Sequence, residues 1–404
     1  MNVTISASAL SGSITPPASK SFAHRQLIAA ALADAPSTII IDQPSDDISA
    51  TVSCIEQLGS KIAVSGDSKA FTVTPVSAAP GEATLFCGES GSTMRFLLPV
   101  ASALGIHATF SGSGRLPQRP NQALISAMAL HGVSSTDHFL PLTLSGKLES
   151  GVYEIPGNIS SQYITGLLLA LPLISGDSRI RFTTPVESMA YLTITCHVLK
   201  QFGINIEELP DGYLVRGNQH YHSPDTLTTE GDWSSAVFWH CANKMGHHVQ
   251  LNGMNYESCQ GDRDVIRQLD MLGGIIDVSQ TPDSLPALAV AACTHPGVTH
   301  FTGAARLRLK ESDRLTAVSR MLTVLGQHVD ELPDGLVVYG GRPFSGGTVN
   351  GYRDHRIVMA AALAASIASD SVTITDAEAV SKSYPHFFSH FSDLGGTIHG
   401  QYPG

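Results

Sequence analysis

Half of the 24 lysines and arginines sit in a few short segments, beside glycine, hydroxyl residues and helix-start signals. Pro16-Pro17-Ala18-Ser19-Lys20-Ser21 reads as a small-residue turn entering a helix, with Arg25 one turn on. Free N–H groups at a helix start, serine hydroxyls and Lys20 suit an anion, although the spacing is not that of a P-loop. Gly88 to Leu97 has the same form: a Gly/Ser turn, then an apolar run carrying Arg95. Bare backbone lets a ligand approach closely, and arginine offers a two-pronged fork for phosphate or carboxylate.

Arg115 and Arg119 lie four apart in the Pro/Gly-rich loop from Ser111 to Pro120. Two guanidinia in a folded loop are costly unless anions or carboxylates meet them. Gly157 to Tyr163 opens a strongly apolar helix, its Ser160 and Ser161 serving as N-cap or as ligand donors. In Arg306 to Leu315, alternation through Lys310 suggests a strand end, and Ser312 or Asp313 caps the helix that follows. The acid Glu311 is flanked there by Lys310 and lies near Arg314. Asp354-His355-Arg356 opens an Ala-rich helix. Cations and N–H groups at helix starts, drawn from both halves, suit ligands carrying several negative charges.

The elements behind these starts repeat. A helical segment ends in Leu-Gly or a close variant at Gly59, Gly132, Gly203, Gly273, Gly326 and Gly395. Glycine just past a helix is the expected left-handed cap, and its near-regular recurrence points to a repeated α/β unit, six in all and three per domain. Ile206–Val215 and Val329–Val338 share Leu-Pro-Asp-Gly, a tight turn between strand-like runs. The polar, His-rich stretch from Asn218 to Thr229 is the candidate crossing between domains.

The chain has 404 residues, 43% hydrophobic and 15% charged, with a net charge of −11. That is a globular composition, too acidic for a general nucleic-acid or anionic-membrane binder. The six cysteines show no metal or disulfide spacing and read as buried free thiols. His247, His248 and His386 read as surface residues. No charged n-region precedes an apolar stretch, and the run from Ser284 to Ala305 is interrupted by Pro286, Pro296 and Gly297. These features suggest a cytoplasmic protein.

Taken in order, these segments resemble the 5-enolpyruvylshikimate-3-phosphate synthase family of enolpyruvyl transferases. The resemblance runs from Lys20 to Lys382 and includes Ser188 with Tyr191, Asp283, and Lys382 before Ser383-Tyr384-Pro385. It implies an α/β (α+β) fold: a two-domain inside-out α/β barrel, each domain built of three βαβαββ-type units. It places one lobe at residues 19–229 and the other at 1–18 plus 230–404, with the active site in the cleft between them. Lys20, Ser21, Arg25, Ser160, Ser161, Gln162, Ser188, Asp283 and Lys310 are implied contacts of shikimate 3-phosphate. Lys20, Gly91, Arg115, Gln162, Arg314, Arg356 and Lys382 are implied contacts of phosphoenolpyruvate. Asp283 is the implied base on the 5-hydroxyl and Glu311 the acid at C3, with Lys20 assisting. No metal or other cofactor is implied, the partners are the two small substrates, and the expected state is a monomer.

Some positions depart from the commoner family pattern: Glu89 and Arg306 stand where asparagine is common, Phe96 where proline is. Gly91 leaves room at the phosphoenolpyruvate site and points to glyphosate sensitivity. The related UDP-N-acetylglucosamine enolpyruvyl transferase usually has a catalytic Cys or Asp on a mobile loop, and Ser111 to Pro120 has neither. A non-catalytic anion-binding protein would have no need of both Asp283 and Glu311.

Overall fold

The computed structural model describes residues 1–403. The chain forms two compact units, one of Lys20–Thr229 and one of Met1–Ser19 with the chain from Glu230 onward. Ser19, expected in the first of these, groups with the outer segments. Its N–H donates to the Glu230 carbonyl at 2.7 Å and its Oγ to Gln260 Oε1 at 3.0 Å.

Each unit carries three sheets: all four-stranded in Lys20–Thr229, and two four-stranded with one two-stranded in the other. One repeat shows the pattern. Strand Glu82–Phe86 pairs in parallel with His107–Ser111 after the helix Gly91–Ala103. Helix Gln122–Ala129 then leads into the antiparallel strands Val133–Ser135 and Leu142–Gly146. The same βαβαββ order recurs from Val152 to Val215 and, with irregular bends, from Ile275 to Tyr339.

The six capping glycines all have positive φ. They end helices where an L side chain would be strained. Ahead of Gly273 the expected helix is only Val265–Gln268 followed by a 3₁₀ turn. Both Leu-Pro-Asp-Gly runs make hairpins with Pro-Asp as a two-residue loop, since Leu209 pairs with Gly212 and Leu332 with Gly335. A Cβ at Gly212 or Gly335 would stand 1.8 or 1.9 Å from a neighbouring strand's carbonyl, so only glycine fits.

Helices are the inner layer of each unit. Every residue of His355–Ala365 is buried, as are Phe22 to Ala31 of Lys20–Ala31, whereas strands such as Glu82–Phe86 keep an exposed face. Such helices bury all sides, polar residues included, unlike surface helices with one apolar stripe.

Three local expectations fail. Arg306 to Leu309 lies in a 3₁₀ turn, Ala305–Leu309, rather than a strand end. The preceding strand, Val298–Thr302, stops before Gly303 at φ +69, and the Ala305 N–H caps on Asp334 Oδ1 at 2.7 Å. His247 is buried, accepting from the Leu10 N–H at 3.1 Å and bonded to Ser366 Oγ at 2.8 Å. Cys196 and Cys259 are only partly buried, whereas the other four cysteines are buried. No described helix is long and apolar enough to cross a membrane.

Candidate active site

In the Lys20–Thr229 unit, side-chain hydrogen bonds tie the helices to one another. Arg25 of helix Lys20–Ala31 donates to Thr195 Oγ1 (2.8 Å) of helix Met189–Gln201 and to Thr165 Oγ1 (3.2 Å) of helix Ser161–Ala170. Arg95 of helix Gly91–Ala103 donates to Gln162 Oε1 at 2.7 Å, and Gln162 Nε2 donates to Ser92 Oγ at 2.9 Å. The buried hydroxyls of Thr51, Thr93 and Ser90 form a chain from His24 Nδ1, with links of 2.6, 2.6 and 2.7 Å. Burial, with Lys20 and Arg25 nearby, holds the His24 imidazole well below its ordinary pKa and so neutral.

This arrangement places the expected ligand contacts at helix starts. Lys20 opens its helix and pairs with Asp47 at 2.8 Å; Ser21 follows it. Gly91 is the first residue after the N-cap Ser90, and the Arg119 guanidinium lies against it. Ser160 caps the next helix, accepting from the Gln162 N–H, and Ser161 is its first residue. Ser188, left-handed at φ 57, precedes Met189–Gln201. Arg115 is exposed at the start of the 3₁₀ turn Leu116–Gln118. Arg25 differs from the rest: it is 2% exposed, and Nε, Nη1 and Nη2 all donate within the protein.

In the other unit the centre is Arg314, 1% exposed at the first position of helix Arg314–Val324. Its Nη1 reaches Asp283 at 2.7 Å, Nη2 reaches Glu311 at 2.7 Å, and Nε reaches Asp354 at 2.9 Å. Asp283 also faces Lys310 Nζ at 3.5 Å and Arg356 Nη2 at 3.4 Å. Asp354, fully buried, caps the helix of Arg356 by accepting its N–H at 3.0 Å, and Ser312 Oγ donates to it at 2.9 Å. Asp313, not Ser312, caps the Arg314 helix. Lys382 Nζ donates to the Arg353 carbonyl at 2.7 Å.

Burial pushes the Lys310 ammonium down to about 8; Asp283 opposes that shift and Arg314 adds to it. Lys310 can therefore bind an anion as a cation or exchange a proton near neutrality. Most of the expected cations already hold acids, so ligand anions must compete with, or be held beside, carboxylates. Glu89, which stands where asparagine is common in the family, lays its carboxylate against Gly114.

Several partners escaped the sequence reading. Asp47 and Asp354 pair with charged groups, Asp262 accepts from the Ser234 and Ser284 hydroxyls, and Arg95 holds Gln162 rather than standing open as an anion fork. Asp354 carried a signal in its helix-start place, but Asp47 and Asp262 sit in ordinary acidic stretches.

The fold and these charged helix starts define a class: two-unit α/β proteins of βαβαββ repeats, with polar groups for anions at helix N-termini. The chain belongs to the EPSP synthase (3-phosphoshikimate 1-carboxyvinyltransferase) family, whose model matches residues 5–276 and 272–391. The 3-phosphoshikimate 1-carboxyvinyltransferase of Clostridium kluyveri is 38% identical, with 98% of each chain covered. That of Clostridium acetobutylicum is also 38% identical over 98% of each. Among solved structures, EPSP synthase from Acinetobacter baumannii superposes with a TM-score of 0.83 at 25% identity, covering 99% of this chain and 100% of that one. The enolpyruvyl transferase NikO from Streptomyces tendae shares the fold, with a TM-score of 0.79 at 20% identity over 100% and 99%.

Proposed function

We propose that the chain transfers the enolpyruvyl group of phosphoenolpyruvate to the 5-hydroxyl of shikimate 3-phosphate, releasing phosphate, as a 3-phosphoshikimate 1-carboxyvinyltransferase of chorismate and aromatic amino acid biosynthesis. Family membership along nearly the whole chain supports the reaction class. The observation that carries the chemistry is Arg314 gripping both Asp283 and Glu311, beside Lys310.

In this reading Asp283 takes the proton of the 5-hydroxyl as its oxygen attacks C2 of phosphoenolpyruvate. Glu311 delivers a proton to C3, giving a tetrahedral intermediate. A proton then leaves C3, the double bond re-forms and the C2–O bond to phosphate breaks. Lys20 assists the proton transfers. The acid and base are of a type worth about 10²–10⁴-fold each when positioned.

Lys20, Ser21, Ser160, Ser161, Gln162, Ser188, Asp283 and Lys310 take shikimate 3-phosphate, with Arg25 bracing the helices behind them. Lys20, Gly91, Arg115, Gln162, Arg314, Arg356 and Lys382 take phosphoenolpyruvate. Two phosphates and two carboxylates bring about six negative charges, which compete with the carboxylates that Lys20, Lys310, Arg314 and Arg356 already hold and which fixed cations favour when water is excluded. The steps use side chains alone, and the chain acts as a cytoplasmic monomer open to glyphosate.

The test is phosphate release from phosphoenolpyruvate with and without shikimate 3-phosphate. Release that depends on the ester is expected; release indifferent to it rejects the substrate pair.

A further inference from the structure

Asp262 is a buried carboxylate that the proposed chemistry does not use. It lies on the 3₁₀ turn Gly261–Asp264 and is 5% exposed. Its Oδ1 accepts from Ser284 Oγ at 3.1 Å, and its Oδ2 accepts from Ser234 Oγ. Ser284 is fully buried and follows Asp283 directly in the 3₁₀ turn Pro282–Ser284. The Ser234 carbonyl in turn accepts from Arg356 Nη1 at 3.2 Å, and the same nitrogen reaches the Asp283 carbonyl at 3.3 Å. One carboxylate thus ties two serines, and those serines hold the backbone under Asp283 and the carbonyl under Arg356.

We propose that Asp262 is a positioning residue for the transfer reaction, clamping Asp283 and Arg356 in working geometry through Ser284 and Ser234. This rests on the reading of Asp283 as the base. Buried hydroxyl–carboxylate bonds of this kind fix rotamers, and a displacement of about 1 Å at a reacting group can cost on the order of 10²-fold in rate.

The clamp also carries charge. Three ionisable groups face Asp262: Asp283, Arg356 and Asp232. Burial and the Asp283 carboxylate push its carboxyl up to about 6, and Arg356 opposes that rise. Two neighbouring carboxyls titrate as a pair, and charge on one disfavours charge on the other.

Asp262→Asn keeps the shape and one acceptor while removing the charge. With wild-type turnover first established on the two substrates, its kcat is expected to fall about 10- to 100-fold. The KM for shikimate 3-phosphate should stay near wild type, and thermal melting should confirm folding. A folded variant with wild-type kcat overturns the proposal. Ser284→Ala, which deletes only a hydroxyl, serves if Asp262→Asn does not fold. A several-fold drop in its kcat is expected, and wild-type kcat overturns the proposal. An inactive wild type would instead reject the transferase reading itself.

Discussion

Arg314 holds the Asp283 carboxylate at 2.7 Å from a site where the arginine itself is 1% exposed. The same guanidinium reaches Glu311 and the fully buried Asp354. A single buried cation therefore fixes the proposed base, the proposed acid and a helix cap relative to one another. Its five donors in a rigid fork suit that task; a lysine's point charge would not.

Arg314→Met should destabilise the protein by about 3–5 kcal/mol, the cost of breaking a buried ion pair and leaving its partner charged. Urea unfolding reads this directly. Arg314→Lys should fall between the two in stability but remain nearly inactive, because it cannot hold three carboxylates at once. Wild-type stability in the methionine variant would reject the linking role.

Asp283→Ala should lower kcat by about 10²–10⁴-fold, the usual worth of a positioned base. Calorimetry should still detect shikimate 3-phosphate binding, since Lys310 and Arg356 lose a competing anion. Loss of binding together with turnover would mean that Asp283 supports the site and does not act in the chemistry.

Lys310 gives a pH dependence whose sign follows from its lowered pKa. Its ammonium is present below about 8 and lost as pH rises through that value. If it binds the anionic ester, kcat/KM for shikimate 3-phosphate should fall above pH 8. Lys310→Arg, charged throughout, should flatten that alkaline limb. A limb unchanged in the arginine variant would assign it to another group.

A methyl at Gly91 would stand 2.8 Å from Arg119 Nη1 and 3.1 Å from its Cζ. Gly91→Ala must push that guanidinium away from the helix start. The expected result is a rise of about tenfold in KM for phosphoenolpyruvate, the scale of one weakened charge-assisted hydrogen bond. The melting temperature should barely move, because only the tip of a side chain shifts. An unchanged KM would show that Arg119 and Gly91 stand clear of that substrate.

Much of the architecture was legible because its signals are local. The capping glycines mark helix ends through backbone sterics alone, and Leu-Pro-Asp-Gly turns back on itself wherever it occurs. Asp232, Asp313 and Asp354 cap helices that the residues around them announce. The 3₁₀ turn at Arg306 was not legible, since its cap, Asp334, lies on a hairpin far along the chain. Nor was the burial of His247, whose partners Leu10 and Ser366 come from opposite ends of the sequence.

The sequence by itself determined where helices begin, which residue types gather there, and therefore that the protein handles anions. It could not say which cation meets which acid. Arg314 and Arg95 look alike in sequence, each an arginine at a helix start. Packing gave one of them three carboxylates and the other a glutamine, an asparagine and a carbonyl. Charge pairing depends on distances of a few ångströms between residues remote along the chain, and only the folded arrangement sets those distances.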